Sequence, residues 1–309
     1  MTDGARLDVP GHLSVVIATR DRRDELLRTL DHLDHLPERP GVVVVDNGSS
    51  DGSPAAVARE FPTAQVVALD RNVGAPARNI GARVADTPYV AFADDDSWWA
   101  PGALGRALEH FARSPRMAVL QARILVGPEE RLDPICDVMA RSPLPPAADL
   151  PGPSLLGFVA CGAIVHREAF LSVGGFDDLL FFLGEEQLVA QDLTSAGWGL
   201  AYVADVVAHH HPSPVRDPIG RRRREARNDL LATWMRRPWP VVARSTATAL
   251  ASAVRDAPLR SAVAEAAVRL PGALRRRRRL PADVERQLAM LGRGDGPGSP
   301  RSVSGAGPV

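Results

Sequence analysis

Three consecutive carboxylates, Asp94, Asp95 and Asp96, have the residue type and spacing for metal chemistry. This acidic triplet follows an apolar run at 90–93 that predicts a short buried strand, so it is expected where a strand leaves its sheet. Adjacent carboxylates repel one another and need a compensating cation. Oxygen ligands at positions i and i+2 suit a hard divalent ion such as Mg²⁺ or Mn²⁺. For the triplet alone, the alternative is a solvated acidic turn.

Polar residues also follow two earlier apolar runs of the chain. Thr19 and Asp21 come after the run at 13–18, and Asp46 comes after the run at 42–45. Open α/β folds bind their ligands beyond the carboxyl ends of strands, which makes all three candidates for a binding site. Asp46 opens a stretch of turn-forming residues, so a plain Asx turn is the alternative there.

Periodicity predicts the elements that position these residues. Strands are predicted at 13–18, 42–45, 65–69, 90–93, 117–126, 158–166 and 200–207, and helices at 25–36, 54–60, 76–85, 101–113 and 185–196. Strand and helix alternate at these spacings through the first half of the chain. This predicts a Rossmann-like α/β fold, with a mostly parallel sheet and helices on both faces.

The second half of the chain is less regular. Residues 127–153 are rich in Pro, Asp and Arg, which predicts a long mobile excursion. Beyond residue 216, helical segments run to about 274. We predict a lead at 1–12, an α/β domain at 13–215, a basic helical extension at 216–291 and a disordered tail at 292–309.

Composition is that of an ordinary globular protein, but its charge is divided unevenly. Residues 1–215 carry 17 arginines against 29 acids, whereas residues 216–309 carry 20 arginines against 8 acids. The chain contains no lysine, which excludes a mechanism that needs a lysine amine. Two cysteines, no visible signal peptide and no long apolar run favour a cytoplasmic protein.

Together, the motifs at 14–21, 46–53, 72–79, 94–96 and 174–192 resemble family 2 glycosyltransferases with the GT-A fold. The resemblance covers about 13–212. It implies a nucleotide-diphospho-sugar donor and a divalent cation, Mn²⁺ or Mg²⁺, that stabilises the departing diphosphate.

The resemblance also implies roles on the donor side. Asp96 is the first choice for the metal and Asp94 for the metal or the ribose, while Asp95 binds the donor or is only structural. The remaining donor-binding candidates are Thr19, Asp21, Asp46 and Arg78. An arginine suits forked recognition of phosphate oxygens, although a helix-surface ion pair is the alternative for Arg78.

On the acceptor side, the resemblance implies a general base at Glu186, with Glu185 as its rival. The family more often has Asp at this position, and the further acid expected three residues on is replaced by Val189. His209 and His211 point the same way along an extended strand and could add an imidazole ligand for the metal. An exposed strand end is the alternative for both histidines.

The leading hypothesis is therefore a metal-dependent, inverting glycosyltransferase that acts on a hydroxyl acceptor of an envelope polysaccharide, glycolipid or secondary metabolite. A nucleotide-sugar-binding module without turnover is the alternative. The arginine runs at 221–224 and 275–279 lack interleaved aromatic residues, so nucleic-acid binding is not expected. Peripheral docking of this basic segment on an anionic membrane is favoured instead.

Overall fold

Continuous apolar runs form the centre of the fold, because strands buried on both faces need apolar side chains on each face. The computed structural model describes residues 9–212 and 218–293. Its strands are β1 (Leu13–Thr19), β2 (Gly41–Asp46), β3 (Gln65–Ala68), β4 (Tyr89–Ala93), β5 (Ser97–Trp99), β6 (Met117–Val126), β7 (Arg131–Leu132), β8 (Ala163–His166) and β9 (Gly199–His210).

The strands form one sheet in the order β3-β2-β1-β4-β8-β6-β9-β5, with β7 paired to β6. Pairing is parallel from β3 to β4 and between β6 and β9, while β8 runs antiparallel to both of its neighbours. The register pairs Thr19 with Asp46 and Ile17 with Ala93, the residue before the acidic triplet. The candidate residues of β1, β2 and β4 therefore leave the sheet at one edge.

Helices cover both faces of the sheet. They are α1 (Val9–His12), α2 (Arg23–Asp34), α3 (Ser53–Glu60), α4 (Ala77–Val84), α5 (Ala103–Arg113), α6 (Pro134–Ala140), α7 (Arg167–Ser172), α8 (Glu185–Ser195), α9 (Pro218–Arg236), α10 (Trp239–Ala253), α11 (Ala257–Arg275) and α12 (Ala282–Arg293). Val16 and Phe92 face one core, while Ile17 and Ala91 face the other. The predicted mostly parallel α/β fold with C-terminal helices is confirmed.

The excursion at 127–153 differs from the expectation of a long stretch without regular structure. It contains β7 and α6, and Asp133 caps α6 by accepting a hydrogen bond from the Ile135 N–H at 3.0 Å. Leu144 is buried against Val284 and Leu288 of α12, a helix that lies beyond the predicted helical segments ending near 274. Apolar contacts with a distant segment thus order what local composition marks as a loop.

The C-terminal helices pack against the segment that leads into α8. Leu180 and Leu188 share one core cluster with Leu231, Trp234 and Met235 of α9. Arg236, at the end of α9, is buried and donates to both carboxylate oxygens of Asp192 in α8, at 2.6 and 2.7 Å. The tail predicted from residue 292 lies outside the described residues from 294 onward.

None of the helices in the described ranges is both long enough and apolar enough to cross a lipid bilayer.

Candidate active site

A cleft of about 480 Å³ opens at the carboxyl edge of β1, β2 and β4. Its floor carries Thr19 and the acidic triplet, and one wall is formed by Arg78 of α4. The remaining lining residues are Ala18, Arg20, Arg22, Asn47, Asn72, Gly74, Ala75, Phe181, Phe182, Leu183, His210, Pro212, Arg221 and Arg224. Most of the sequence-predicted donor residues therefore line a single cavity.

Each carboxylate of the triplet contacts an arginine. Asp94 pairs with Arg78, and Asp95 accepts a hydrogen bond from the Thr19 hydroxyl at 2.9 Å. Arg22 bridges the other two acids, with its Nε 3.0 Å from Asp95 and its Nη2 3.0 Å from Asp96. Two arginines thus offset the repulsion within the triplet, a role for which the sequence suggested a divalent cation.

The surroundings of the triplet shift its proton equilibria. Burial, together with repulsion from Asp96 and Asp94, raises the pKa of Asp95 to about 7 against the opposing pull of Arg22. Burial alone would lower the pKa of Arg22, but the charges of Asp95 and Asp96 raise it overall. Arg22 consequently stays charged in the cleft. The sequence signal that could have identified it is an arginine at the exit of β1, beside a triplet of acids.

Asp46 ends β2 and is almost fully buried. Its Oδ2 accepts a hydrogen bond from the Ser49 N–H at 3.0 Å, three residues on and not the two residues on of an Asx turn, whereas its buried Oδ1 has no partner among the described residues. One carboxylate oxygen of Asp46 therefore holds the loop, and the other is an open acceptor. A buried acceptor without a partner costs roughly 1–3 kcal/mol, which a ligand donor would recover.

Asp21 ties two loops of the cleft together. It has a left-handed backbone (φ 50°), and its Oδ1 accepts hydrogen bonds from the Ser50 N–H at 2.7 Å and the Ser50 hydroxyl at 3.1 Å. Its own N–H donates to the Ser49 hydroxyl at 2.9 Å. In this structure, Asp21 holds the loop after β1 against the loop after β2, and it is not among the residues that line the cleft.

Arg78 lies at the start of α4 with a side chain only 9% exposed. Besides its pair with Asp94, it is close enough to Glu185 and Glu186 for their charges to raise its pKa, which burial would otherwise lower. Its buried Nε has no partner among the described residues. Arg78 thus lies near both the acidic triplet and the predicted catalytic acids, and its burial excludes the helix-surface alternative.

Glu185 and Glu186 open α8, preceded by Gly184 in a left-handed conformation (φ 84°). Glu185 is 2% exposed and its Oε2 lacks a partner in the described part of the chain, so burial raises its pKa well above the ordinary value. Glu186 is only partly buried; burial raises its pKa as well, while the N–H groups of its own backbone and of Ala160 hold the increase down. The two acids therefore differ in their access to a substrate.

The histidine that faces the triplet is His210, not the two neighbours singled out from the sequence. Its Nε2 lies 3.5 Å from Asp96 Oδ1. Burial would lower the pKa of His210, but Asp96 and Asp94 raise it overall. Val206, Ala208 and His210 are all buried on one face of β9, and that period of two is the signal that could have found it.

His209 and His211 lie instead around Trp98. Trp98 stacks on His32 with ring centroids 3.9 Å apart, and the centroids of His209 and His211 are 5.6 and 4.6 Å from it. His209 Nδ1 also lies 3.3 Å from Glu130 Oε1. The imidazole rings of His209 and His211 therefore contact Trp98 and not the acidic triplet. Trp98 is surrounded by three imidazoles.

Asp94, Cys161 and His210 form a group that could hold a cation, because their ligand atoms lie within 4.8 Å of one another. The Cys161 thiol is fully buried, and its pKa is raised well above the ordinary value by burial and by Asp94 and Asp96. It is therefore a poor thiolate donor. The carboxylates and the imidazole remain, and that donor set suits Mn²⁺.

The C-terminal helices contribute directly to the cleft. Arg221 and Arg224 of α9 line it, beside Phe181 and Phe182, which are 38% and 41% exposed. Buried Asn228 donates from its Nδ2 to the carbonyl oxygens of Leu180, Phe182 and Leu183. The loop that α9 holds could not be predicted, because nothing local in the sequence reveals which loop a distant helix will contact.

Comparison with known proteins agrees with the geometry. Residues 14–174 match the model of the family Glycosyl transferase family 2. The chain is 30% identical over 245 residues to the N-acetylglucosaminyl-diphospho-decaprenol L-rhamnosyltransferase of Mycobacterium tuberculosis, a match covering 67% of this chain and 78% of that protein.

Solved structures share the fold. The mannosyltransferase PcManGT from Pyrobaculum calidifontis in complex with GDP-Man and Mn²⁺ has a TM-score of 0.55 at 21% identity, covering 92% of this chain and 76% of that one. Staphylococcus aureus TarS 1–349 in complex with UDP-GlcNAc has a TM-score of 0.55 at 17% identity, covering 72% and 66%. The chain belongs to glycosyl transferase family 2 and is a glycosyltransferase that transfers a sugar from a nucleotide-sugar donor.

Proposed function

We propose that the chain is a metal-dependent, inverting enzyme that moves a sugar from a nucleotide diphosphate to a hydroxyl acceptor. The observation that carries this proposal is the path of contacts across the cleft. Asp96 contacts Arg22 and His210, and Asp94 contacts Arg78. The charges of Glu185 and Glu186 at the start of α8 also raise the pKa of Arg78, so these acids lie near the same guanidinium. A donor side and an acceptor side are thereby joined through one buried arginine.

On the donor side, Asp46 and Thr19 support binding of the nucleotide. The open Oδ1 of Asp46 can accept a hydrogen bond from an N–H of the base. Thr19 donates its hydroxyl to Asp95, which supports a structural role for Asp95. Asp94, 33% exposed, would then face the ribose or the metal. The Arg78 guanidinium would then orient the sugar or the diphosphate.

The residues present fit a divalent cation. Asp94, Asp96 and His210 would hold it, since their oxygen and nitrogen atoms converge on one side of the cleft. When bound, such an ion stabilises the negative charge that grows on the departing diphosphate. Arg22 keeps Asp96 in place from the other side, through the 3.0 Å contact of its Nη2.

On the acceptor side, Glu186 fits a general base better than Glu185. A base must be ionised and within reach of the hydroxyl, and Glu186 is partly exposed, whereas Glu185 is buried with a strongly raised pKa. Glu186 would take the proton of the attacking hydroxyl while the oxygen approaches the anomeric carbon from the face opposite the leaving group. That approach inverts the anomeric configuration.

The acceptor is proposed to be a glycan carried on a lipid, or another hydroxyl compound of the cell envelope. The support is the 30% identity with a rhamnosyltransferase whose name describes an N-acetylglucosaminyl-diphospho-decaprenol acceptor. The wall formed by Phe181, Phe182 and the arginines of α9 offers apolar and cationic groups to such a molecule. A secondary-metabolite acceptor is the alternative.

A donor panel tests the proposal. Hydrolysis of UDP-, GDP- and dTDP-sugars is measured with Mn²⁺, with Mg²⁺ and with a chelator. We expect one nucleotide to be preferred and the chelator to abolish turnover. Asp96→Asn should lower the rate by about 10²-fold or more, because it removes a charged ligand and the partner of Arg22. Asp149→Asn, a surface acid paired with Arg116, is the control; wild-type turnover by Asp96→Asn would end the metal assignment.

A further inference from the structure

Most arginines in the two runs of the extension form ion pairs or hydrogen bonds with other residues of the chain. In the first, Arg221 lies 2.9 Å from Glu225, Arg222 lies 2.8 Å from Asp256, and Arg223 lies 3.3 Å from Glu265. These pairs join α9 to its own next turn and to α11. The run at 221–224 is therefore part of the helix packing and of the cleft wall, not a free cationic surface.

The second run, at 275–279, is also partly internal. Arg276 pairs with Asp177 and Asp178, Arg277 donates to the carbonyl oxygens of Trp234 and Arg237, and Arg278 lies 3.2 Å from Asp192. The number of arginines in the sequence therefore overstates the positive charge that the extension exposes to solvent. The exposed surface of the extension lies mainly on α10 and α11.

Helix α10 carries an apolar stripe on its outer side. Trp239, Leu250 and Val254 are 60%, 52% and 74% exposed, and Ala243 and Ala247 are exposed between them. At 100° per residue these five positions fall within an arc of about 80°. The side of the helix next to the Trp239 edge of this stripe, with Val242 and Ala253, is buried against the molecule.

Helix α11 repeats the arrangement. Val268 is 79% exposed and Leu274 is 43% exposed, and Ala264, Ala267 and Pro271 are exposed with them. Its inner side buries Ala262, Ala266 and Ala273. Seven of the eleven large hydrophobic side chains exposed in the described residues belong to 218–293, which marks this region as an unpartnered apolar surface.

The charge on this surface has one sign. The acids between 239 and 280 are Asp256 and Glu265, and both are paired, with Arg222 and with Arg223 and Arg227 respectively. By contrast, exposed arginines on or next to the two helices form no ion pair within the described ranges, among them the four residues Arg244, Arg255, Arg275 and Arg279.

We propose that the outer sides of α10 and α11, here called the α10–α11 surface, dock on an anionic lipid bilayer. The surface consists of the stripes Trp239, Ala243, Ala247, Leu250 and Val254, and Ala264, Ala267, Val268, Pro271 and Leu274, with the four unpaired arginines around them. Amphipathic helices of this kind lie in the plane of the interface, with apolar side chains in the acyl boundary and cations at the headgroups.

The position of Trp239 supports this orientation. The guanidinium of Arg277 lies 4.0 Å from the centroid of its ring, so one face of the indole is already covered by a cation. Indoles favour the membrane–water interface, where an apolar ring meets polar headgroups.

A second copy of the chain fits the α10–α11 surface less well than an anionic bilayer does. Docking two identical patches would bring Arg244 and Arg255 of both copies together without an acid to balance them. Anionic headgroups supply that balance, so charge complementarity favours a bilayer.

Co-sedimentation of the full chain with vesicles tests the proposal. We expect binding to mixed phosphatidylcholine and phosphatidylglycerol vesicles, much weaker binding to pure phosphatidylcholine, and release by salt. The double variant Val254→Glu with Val268→Glu should lower the partition coefficient about tenfold or more, because two apolar anchors become charged. Arg244→Gln and Arg255→Gln should each lower it about fivefold.

Val138→Glu is the matched control, since Val138 is 49% exposed on α6, outside the surface. It should bind like the wild-type chain. Hydrolysis of the soluble donor should be unchanged in every variant, so a failure of the proposed reaction is separable from a failure of docking.

Three outcomes would overturn the proposal. They are unchanged vesicle binding by the double variant, an equal loss in Val138→Glu, or a vesicle-free dimer that the double variant dissociates.

Discussion

The three acids of the triplet differ in what surrounds them, and this decides what each can do. Asp95 is 7% exposed and is held by Thr19 and Arg22, so it is tied into the structure. Asp94 is one-third exposed and faces the cleft beside Arg78. Asp96 lies between Arg22 and His210. Identical side chains adjacent in sequence thereby acquire different environments, because consecutive residues beyond a strand end point in different directions.

The first prediction concerns Glu186. Glu186→Gln should lower the transfer rate by about 10²–10⁴-fold with the donor KM within about twofold, because only proton removal from the acceptor is lost. Burial and the charge of Asp94 raise the pKa of Glu186, while the charge of Arg78 opposes the rise. A base acts when ionised, so the wild-type rate should fall as the pH drops through that raised pKa, at a higher pH than an ordinary glutamate would give.

Steady-state transfer across pH checks this prediction. Glu186→Asp should keep part of the activity and an acidic limb, whereas Glu186→Gln should lose the limb. If Glu185→Gln alone reproduced the whole loss, the base would be Glu185.

At the scale of elements, the cleft depends on the loop at 180–183, which is held in an unusual backbone conformation. Phe181 and Leu183 have left-handed backbones (φ 65° and 75°), which cost of order 1–3 kcal/mol each outside glycine. The loop is fixed on one side by the Ala75 N–H, which donates to the Phe181 carbonyl at 2.7 Å. On the other side, Asn228 binds three of its carbonyl groups. The strain is therefore maintained by contacts from two elements.

The second prediction uses two glycines in left-handed conformations. Gly74 (φ 74°) packs against Phe181, so that a Cβ there would overlap the Phe181 carbonyl oxygen, while Gly52 (φ 81°) has nothing within 4 Å. Both alanine variants should lose about 1 kcal/mol of stability from the backbone alone. Only Gly74→Ala should also displace the loop and lower donor hydrolysis, by about tenfold or more.

Denaturant unfolding and donor hydrolysis, measured on both variants, check the prediction. Equal activity in Gly74→Ala and Gly52→Ala would show that the position of the loop does not matter for turnover.

At the scale of the whole molecule, the C-terminal helices contribute to the candidate active site as well as to the exterior. α9 supplies two arginines to the cleft wall, holds the 180–183 loop through Asn228, and pairs Arg236 with Asp192 of α8. The predicted boundary at residue 215 therefore separates two segments of sequence that share one core cluster. We expect them to unfold together.

The third prediction tests this coupling. Asn228→Ala removes the donor to three carbonyl groups of the loop, so it should cost about 1–3 kcal/mol and lower donor hydrolysis about tenfold or more. Thr246→Ala is the control, because it removes a hydrogen bond of similar length, the 2.9 Å contact with Trp234 Nε1, from the packing between α9 and α10. It should lose stability without losing activity at saturating donor.

Thermal unfolding and donor hydrolysis distinguish the two variants. A loss of activity in Thr246→Ala as large as in Asn228→Ala would mean that general destabilisation, not loop position, explains the effect.

The sequence by itself determined the central strands, most of the helices and the polar residues at the strand ends. Continuous apolar runs specify strands buried on both faces, and the residue that follows such a run must lie at the edge of the sheet. For this reason the apolar pattern alone is enough to place Thr19, Asp46 and the acidic triplet at that edge. The family followed from the order and spacing of the same motifs.

Only the tertiary structure decided which distant side chains contact these residues at the edge of the sheet. The pairing of β5 with β9 sets Ser97 opposite His210, and this brings His210 to Asp96 and leaves His209 and His211 around Trp98. Arg22 and Asn228 act on residues 73 and 45 or more positions away, respectively. Local periodicity encodes an element and its buried face, but the choice of partner depends on packing between segments far apart in the chain, which no local pattern contains.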